Sequence, residues 1–232
     1  VWGDAAILGR VSGFARDHVE VLGFASYRRV PTQPDWVSIN LGQTFDNSYV
    51  HRVRSILRGA QAAQTSALMD TDLFVARNLD MLLVALLARR GARRDTPVIY
   101  ECLDIHRLVA RSGLVGKVFR AIERRALRQC VGHWVSSPAF LSDHFQRYYP
   151  EAEGAQLLEN RLQTQIGPRP KADKPHSEKL RIGWFGNLRC ARSLTLLSAL
   201  ASEYSDRVEI VLRGYPAEAE LPDFHQMVAT HP

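Results

Sequence analysis

The sequence predicts an α/β protein built from parallel βαβ units, and three observations carry that prediction. Short β-rich runs recur along the chain, and the stretches between them show helical apolar spacing. A proline-rich polar region then separates a longer first part from a second part that starts the same alternation again. With 232 residues, 46% hydrophobic and 23% charged, the chain sits at globular averages and suffices for one large domain or two smaller ones.

In the first part, strands are expected at Val19–Phe24, Trp36–Ile39, Asp72–Val75, Pro97–Tyr100, His133–Val135 and Gln156–Leu158. Crossover helices are expected where Val50, Val53, Leu57 and Ala60 recur at helical spacing, and again at Val115, Val118, Phe119, Ile122 and Ala126. From Arg161 to Lys179, Pro168, Pro170 and Pro175 stand among Lys, Asp, Ser and His without apolar periodicity, as a linker does. Beyond it come a strand Leu180–Phe185, a turn at Gly186-Asn187, a helix from about Ser193 to Tyr204, and a strand Val208–Leu212. The expected organisation is a first lobe over 1–161, a linker over 162–179 and the start of a second lobe over 180–232. Val1 stands where a methionine would, and Met227–Pro232 lacks the shape of a finished element, so both ends are expected to be cuts.

Several function classes find no support. The longest apolar run, Leu79–Ala88, is interrupted by Asp80 and reaches about half of the roughly 20 residues that cross a bilayer. Cys102, Cys130 and Cys190 are far apart and lack the close Cys/His pairs of a zinc or redox site; they read as buried reduced thiols, hence a cytoplasmic protein. The eight histidines form no metal-ligand pair and most are expected on the surface; no Gly-x-Ser-x-Gly elbow is present, and no metal or other cofactor is expected. A net charge of +6 invites a nucleic-acid partner, but the aromatics fall in strands rather than among Lys and Arg on one face, so none is expected. Phosphate also occurs in nucleotide-sugars and in lipid headgroups.

Glu101 and Asp104 lie where a strand ends, so their carboxylates are candidates for orienting a substrate hydroxyl; a helix cap or a salt bridge to Arg107 is the alternative. Arg77 and Asn78, one loop earlier, share that crevice if the sheet is parallel, with loop packing as the alternative. In the second part, Gly186, Asn187, Arg189 and Arg192 lie between a strand end and a helix start, where phosphate binds. The alternative is a plain glycine turn with solvated arginines. The helix Leu114–Cys130 sets Lys117, Arg120, Arg124, Arg125 and Arg128 around its apolar stripe. Two readings stay open for it: contact with an anionic membrane, or a crossover helix whose stripe covers the sheet.

Arg181-Ile182-Gly183-Trp184-Phe185-Gly186-Asn187-Leu188-Arg189, followed by Arg192-Ser193-Leu194, resembles the start of the donor lobe of family 4 glycosyltransferases. Arg192-Ser193 stands where that family usually has Lys-Gly. Phe74–Asp80, Pro97–His106, Val135–Phe140 and Leu157–Arg161 are similar, in order, to segments of the family's first lobe, with Leu103 where a histidine is frequent. The wording around Tyr100–Leu108, Ser136-Ser137 and Glu159-Asn160 is most similar to succinoglycan-type exopolysaccharide transferases. The resemblance implies two Rossmann-like lobes (GT-B), the first lacking its first strand and the second truncated. It implies a retaining transfer from a nucleotide-sugar to a saccharide or lipid-linked saccharide, on the inner face of the cytoplasmic membrane. Gly214 would line the donor pocket with Gly186, Arg189 and Arg192, and the family's acidic donor-binding pair would lie beyond Pro232, leaving this stretch inactive alone. A non-catalytic scaffold and a basic nucleic-acid-binding module are the rival readings.

Overall fold

The computed structural model describes residues 5–27, 36, 38–43, 49–63, 71–90, 95–152, 154–159, 178–217 and 220–230. Most of the expected linker, with Asn160 and Arg161, lies outside them. Two compact units divide the chain, Val1–Gln165 and Ile166–Pro232.

In the first unit, α1 (Ala5–Arg16) leads to β1 (Gly23–Tyr27), β2 (Ser38–Gln43), α2 (Tyr49–Ala63), β3 (Phe74–Arg77) and α3 (Asn78–Arg89). There follow β4 (Val98–Cys102), α4 (Arg107–Ala110), α5 (Gly113–Leu127) and β5 (Gly132–Val135). The short helices α6 (Pro138–Phe140) and α7 (Gln146–Tyr148) flank a π-helical turn, Leu141–Phe145, before β6 (Ala155–Leu157). Strands β3-β4-β5-β6 form one sheet in that order, every pair parallel. β1 and β2 form a separate parallel pair. The α/β class with parallel strands is therefore as expected, and from β2 to β6 helices connect the strands in the manner of βαβ units.

The first strand is displaced from its expected place: Val19 is half exposed, and pairing runs instead from Gly23↔Ser38. Gly23 fixes that start, because a Cβ there would overlap the Trp36 ring. The main sheet is apolar on both faces, as parallel sheets are. Leu82 on α3, Val98 on β4 and Val135 on β5 are fully buried, and Phe145 and Tyr149 close the core from the far end. α3 buries Leu79, Leu82, Val84, Ala85, Leu86 and Ala88, more than one helical face, because it contacts both strands on one side and α2 on the other.

The expected stripe of α5 is corrected. The helix turns Gly116, Glu123, Ala126 and Leu127 inward with Phe119 beside them, while Val115, Val118 and Ile122 face out. The reason is polar. Glu123 is buried, and its Oε1 accepts from Tyr100 Oη at 3.0 Å. Oε2 accepts from the Tyr149 hydroxyl and lies 3.0 Å from His144 Nε2. A buried carboxylate is tolerated only when so partnered, and that requirement selects the face that packs. The π turn supplies one partner, since it ends with His144 and Phe145 both buried. One further correction follows: of the cysteines only Cys102 is buried, Cys130 being half-buried and Cys190 exposed; of the histidines, His133 and His144 are interior residues.

The second unit comprises β7 (Leu180–Leu188), α8 (Ala191–Glu203), β8 (Val208–Pro216) and α9 (Phe224–Ala229). β7 and β8 run parallel over the whole of their length, from Leu180↔Val208 to Leu188↔Pro216. Leu188, Leu194, Leu221 and Phe224 make a small core, with Trp184 and Leu212 packed against it. Here the expected turn at Gly186-Asn187 is overturned. Both residues stay in the ladder, paired with Gly214 and Tyr215, and the strand continues to Leu188. Among the described residues, no helix is long and apolar enough to cross a membrane.

Candidate functional site

The C-terminal ends of β3, β4 and β5 lie side by side, and polar side chains converge there. Arg77, the last residue of β3, is the register partner of Glu101 on β4 and donates from Nε to Oε2 at 2.9 Å. Arg10, on α1, donates from Nη2 to Oε1 of the same carboxylate at 2.9 Å. The Glu101 side chain is 3% exposed. Both its oxygens therefore carry a guanidinium, and Glu101 holds Arg10 and Arg77 in place across the strand ends. Arg10 Nε is buried and finds no hydrogen-bond partner among the described residues.

Asn78 begins α3 in the left-handed region, φ 64°, a conformation that asparagine adopts more readily than most residues. From there its Oδ1 accepts from the Leu103 amide at 3.2 Å, tying the start of α3 to the loop after β4. Ser136, just after β5, donates from Oγ to the Leu103 carbonyl at 3.1 Å and from its amide to Cys102. One loop, 103–106, is thus fixed from both sides, and Asp104 sits exposed within it. The cap of α4 is His106, whose Nδ1 accepts from the Leu108 amide at 3.2 Å, so the capping alternative does not apply to Asp104. Burial, with the Glu123 charge as the next cause, pushes the Cys102 thiol up to about 12, so the strand end itself supplies no thiolate.

Of the expected residues of this edge, Arg77, Asn78, Glu101 and Asp104 all lie on it. Arg10 was missed. Nothing in the sequence links positions 91 residues apart, and an arginine on an amphipathic helix reads as surface charge.

In the second unit Gly186 and Gly214 are register partners with φ of 117° and 152°. A Cβ at 214 would overlap the Gly186 carbonyl, so this close approach of the two strands demands glycine. β7 then ends at Leu188, and Arg189 and Cys190 form the turn into α8. Cys190 caps that helix, its Sγ accepting from the Ser193 amide at 3.4 Å. Hydrogen bonding from the Ser193 side chain and then from its amide, with Arg192 nearby, holds the exposed thiol below its ordinary value. Arg189, Arg192 and Asn187 are exposed around the same strand end. The arginines and Asn187 therefore stand at the β7–α8 junction, while the two glycines shape the strands before it. Among the described residues, no group of three or more His, Cys, Asp and Glu side chains is placed to hold a metal ion.

These features define a parallel α/β protein whose polar groups gather at the C-terminal ends of its strands, the position at which open α/β sheets bind ligands. No family model matches the chain. Over 202 residues it is 37% identical to the succinoglycan biosynthesis protein ExoL of Rhizobium meliloti (strain 1021), a match that covers 84% of this chain and 50% of that protein. The chain thus spans about half the length of this relative.

Proposed function

We propose that this chain belongs to a retaining glycosyltransferase of the two-lobed, family 4 type. It moves a sugar from a nucleotide-sugar to a saccharide or lipid-linked saccharide during synthesis of a succinoglycan-like exopolysaccharide. The observation that carries the reading is the 37% identity to a succinoglycan biosynthesis protein, over a stretch longer than either compact unit and so reaching into both. The order of strand-end segments supports it further.

In this reading the bond between the anomeric carbon and the diphosphate oxygen breaks, and an acceptor hydroxyl forms the new bond and passes its proton to the departing diphosphate. Charge gathers on the departing diphosphate, and fixed cations stabilise it because they need no reorganisation. Arg189 and Arg192 supply that charge at the β7–α8 junction, with Asn187 and the α8 amides adding donors. Gly186 and Gly214 let the backbone approach. In the first unit, Asp104 orients the acceptor hydroxyl, and Arg10, Arg77 and Asn78 bind the acceptor's oxygens. Glu101 is a positioning residue, acting through the two arginines. The work takes place on the cytoplasmic face of the membrane.

The test is titration of the full-length protein with nucleoside diphosphates and nucleotide-sugars by calorimetry. A nucleotide-sugar should bind, and Arg189→Ala together with Arg192→Ala should weaken it by about tenfold or more, since each charge-assisted contact contributes roughly 1.5–3 kcal/mol. Unchanged binding in the double variant sinks the role of the arginines, and absence of any binding by the parent sinks the transferase reading.

A further inference from the structure

α5 carries an outward face that its packing leaves uncovered. Leu114, Val115, Val118 and Ile122 are 80, 46, 56 and 38% exposed, and their spacing joins them into one stripe along the helix. Lys117 and Arg125 are exposed on the same outward side, and Arg111 is exposed just before the helix starts. From Ile105 to Arg128 the only acidic residue is Glu123, and it is buried in its own network. Arg120 and Arg124 are turned away from this face, the first to the carbonyls of Val109 and Arg111, the second to Tyr148 and Glu151. What faces solvent is thus an aliphatic ridge bordered by Arg111, Lys117 and Arg125, while the exposed Glu151 is engaged by Arg124 and Arg128.

We propose that this face of α5 rests on an anionic lipid surface, with Leu114 and Val118 entering the acyl boundary and Arg111, Lys117 and Arg125 at headgroup level. The proposal rests on the reading that the acceptor is lipid-linked, and it says how this protein reaches such an acceptor. Charge decides the occupant. Two copies meeting through this ridge would bring their cations together around a small apolar contact, which disfavours a dimer, whereas anionic headgroups meet every one of those charges. A ridge of short aliphatics with basic neighbours is also the pattern by which helices lie in a membrane interface.

The experiment is co-sedimentation of the full-length protein with vesicles, without donor present, using phosphatidylcholine alone and phosphatidylcholine mixed with phosphatidylglycerol. The protein should bind the mixed vesicles, release with rising salt, and bind the neutral ones little. Leu114→Ser with Val118→Ser, and separately Lys117→Glu with Arg125→Glu, should each lower the binding constant about tenfold or more. Because all four side chains are exposed, melting temperatures should match the parent. Failure of the parent to bind mixed vesicles, or equal binding by both variants, overturns the proposal. So does a concentration-dependent dimer in ultracentrifugation that the serine variant dissolves. Nucleotide-sugar binding, measured separately, decides the transferase reading. Variants that lose vesicles yet keep donor affinity uphold both, and a parent that binds vesicles but no donor upholds this contact alone.

Discussion

Arg77 Nε and Glu101 Oε2 are 2.9 Å apart across a register pair of β3 and β4, so a single ion pair joins the C-terminal ends of adjacent parallel strands. With Arg10 on its other oxygen, Glu101 sets two cations against one buried anion. Replacing it by glutamine keeps the shape and removes the charge that both guanidiniums require. Glu101→Gln should destabilise the protein by about 3 kcal/mol, towards the lower end for a broken buried pair because Arg10 is a fifth exposed. Urea unfolding measures this. If Glu101 acts by positioning, Arg77→Gln and Glu101→Gln should lower transfer activity alike, and the Glu101→Gln, Arg77→Gln double variant should lose little more than either single one.

Much of this frame was legible in the sequence, for a physical reason. Parallel strands buried on both faces read as short continuous apolar runs, and β3, β4 and β5 fell within a few residues of their expected places. What escaped depends on contacts distant in sequence. α5 offers two stripes at helical spacing, and only the Tyr100, His144 and Tyr149 side chains, brought by other elements, select the one bearing Glu123. Gly186 reads as a turn because a glycine after a strand so often is one; its pairing with Gly214, 28 positions on, keeps it in the ladder. At the candidate site, the strand-end residues were visible one by one, while Arg10 and the tether from Asn78 to Leu103 became visible only when folded.

The three thiols should differ in reactivity by environment. Cys190 is exposed, caps a helix and has its pKa lowered by the Ser193 side chain and amide, whereas burial pushes Cys130 up to about 11 and Cys102 up to about 12. The thiolate is the nucleophile, so iodoacetamide near neutral pH should alkylate Cys190 first by at least about tenfold in rate. Mass mapping of the labelled peptides checks the order. Equal labelling of Cys190 and Cys130 in the folded protein is incompatible with the cap.

Stability should fall on the alkaline side. Cys102 and Cys130 have their folded values pushed to about 12 and about 11 from an ordinary 9.0. Burial, followed by charged neighbours that include Glu123, raises Tyr100 and Tyr149 above 10.0 as well. As pH rises past 9, the unfolded chain loses these protons first and so holds fewer than the folded one. Stability is then complete below pH 9 and declines above it, each group adding a slope of up to about 1.4 kcal/mol per pH unit. Denaturant midpoints measured from pH 8 to pH 11 should drop accordingly. Cys102→Ala should flatten the decline; a curve of unchanged steepness in that variant shows that the thiol is not responsible.

The glycine pair of β7 and β8 permits the sharpest comparison, because its two members are glycine for different reasons. At 214 the space is already filled: a Cβ would overlap the Gly186 carbonyl oxygen, and with φ at 152° the backbone is itself unsuited to a side chain. At 186 none of the described residues lies within reach of a Cβ, so alanine there costs the conformational term of a φ of 117°. Gly186→Ala should therefore destabilise the second unit by roughly 1–2 kcal/mol. Gly214→Ala should exceed it by at least about 1 kcal/mol, because β7 and β8 must separate and the ladder beyond Phe185↔Arg213 loses its pairing. Limited proteolysis reads the difference locally. Gly214→Ala should open cleavage between 186 and 191 at protease levels that leave the parent and Gly186→Ala intact, while the first unit stays protected in all three. If the two variants prove equally resistant, the strands do not approach at this pair as closely as their register requires.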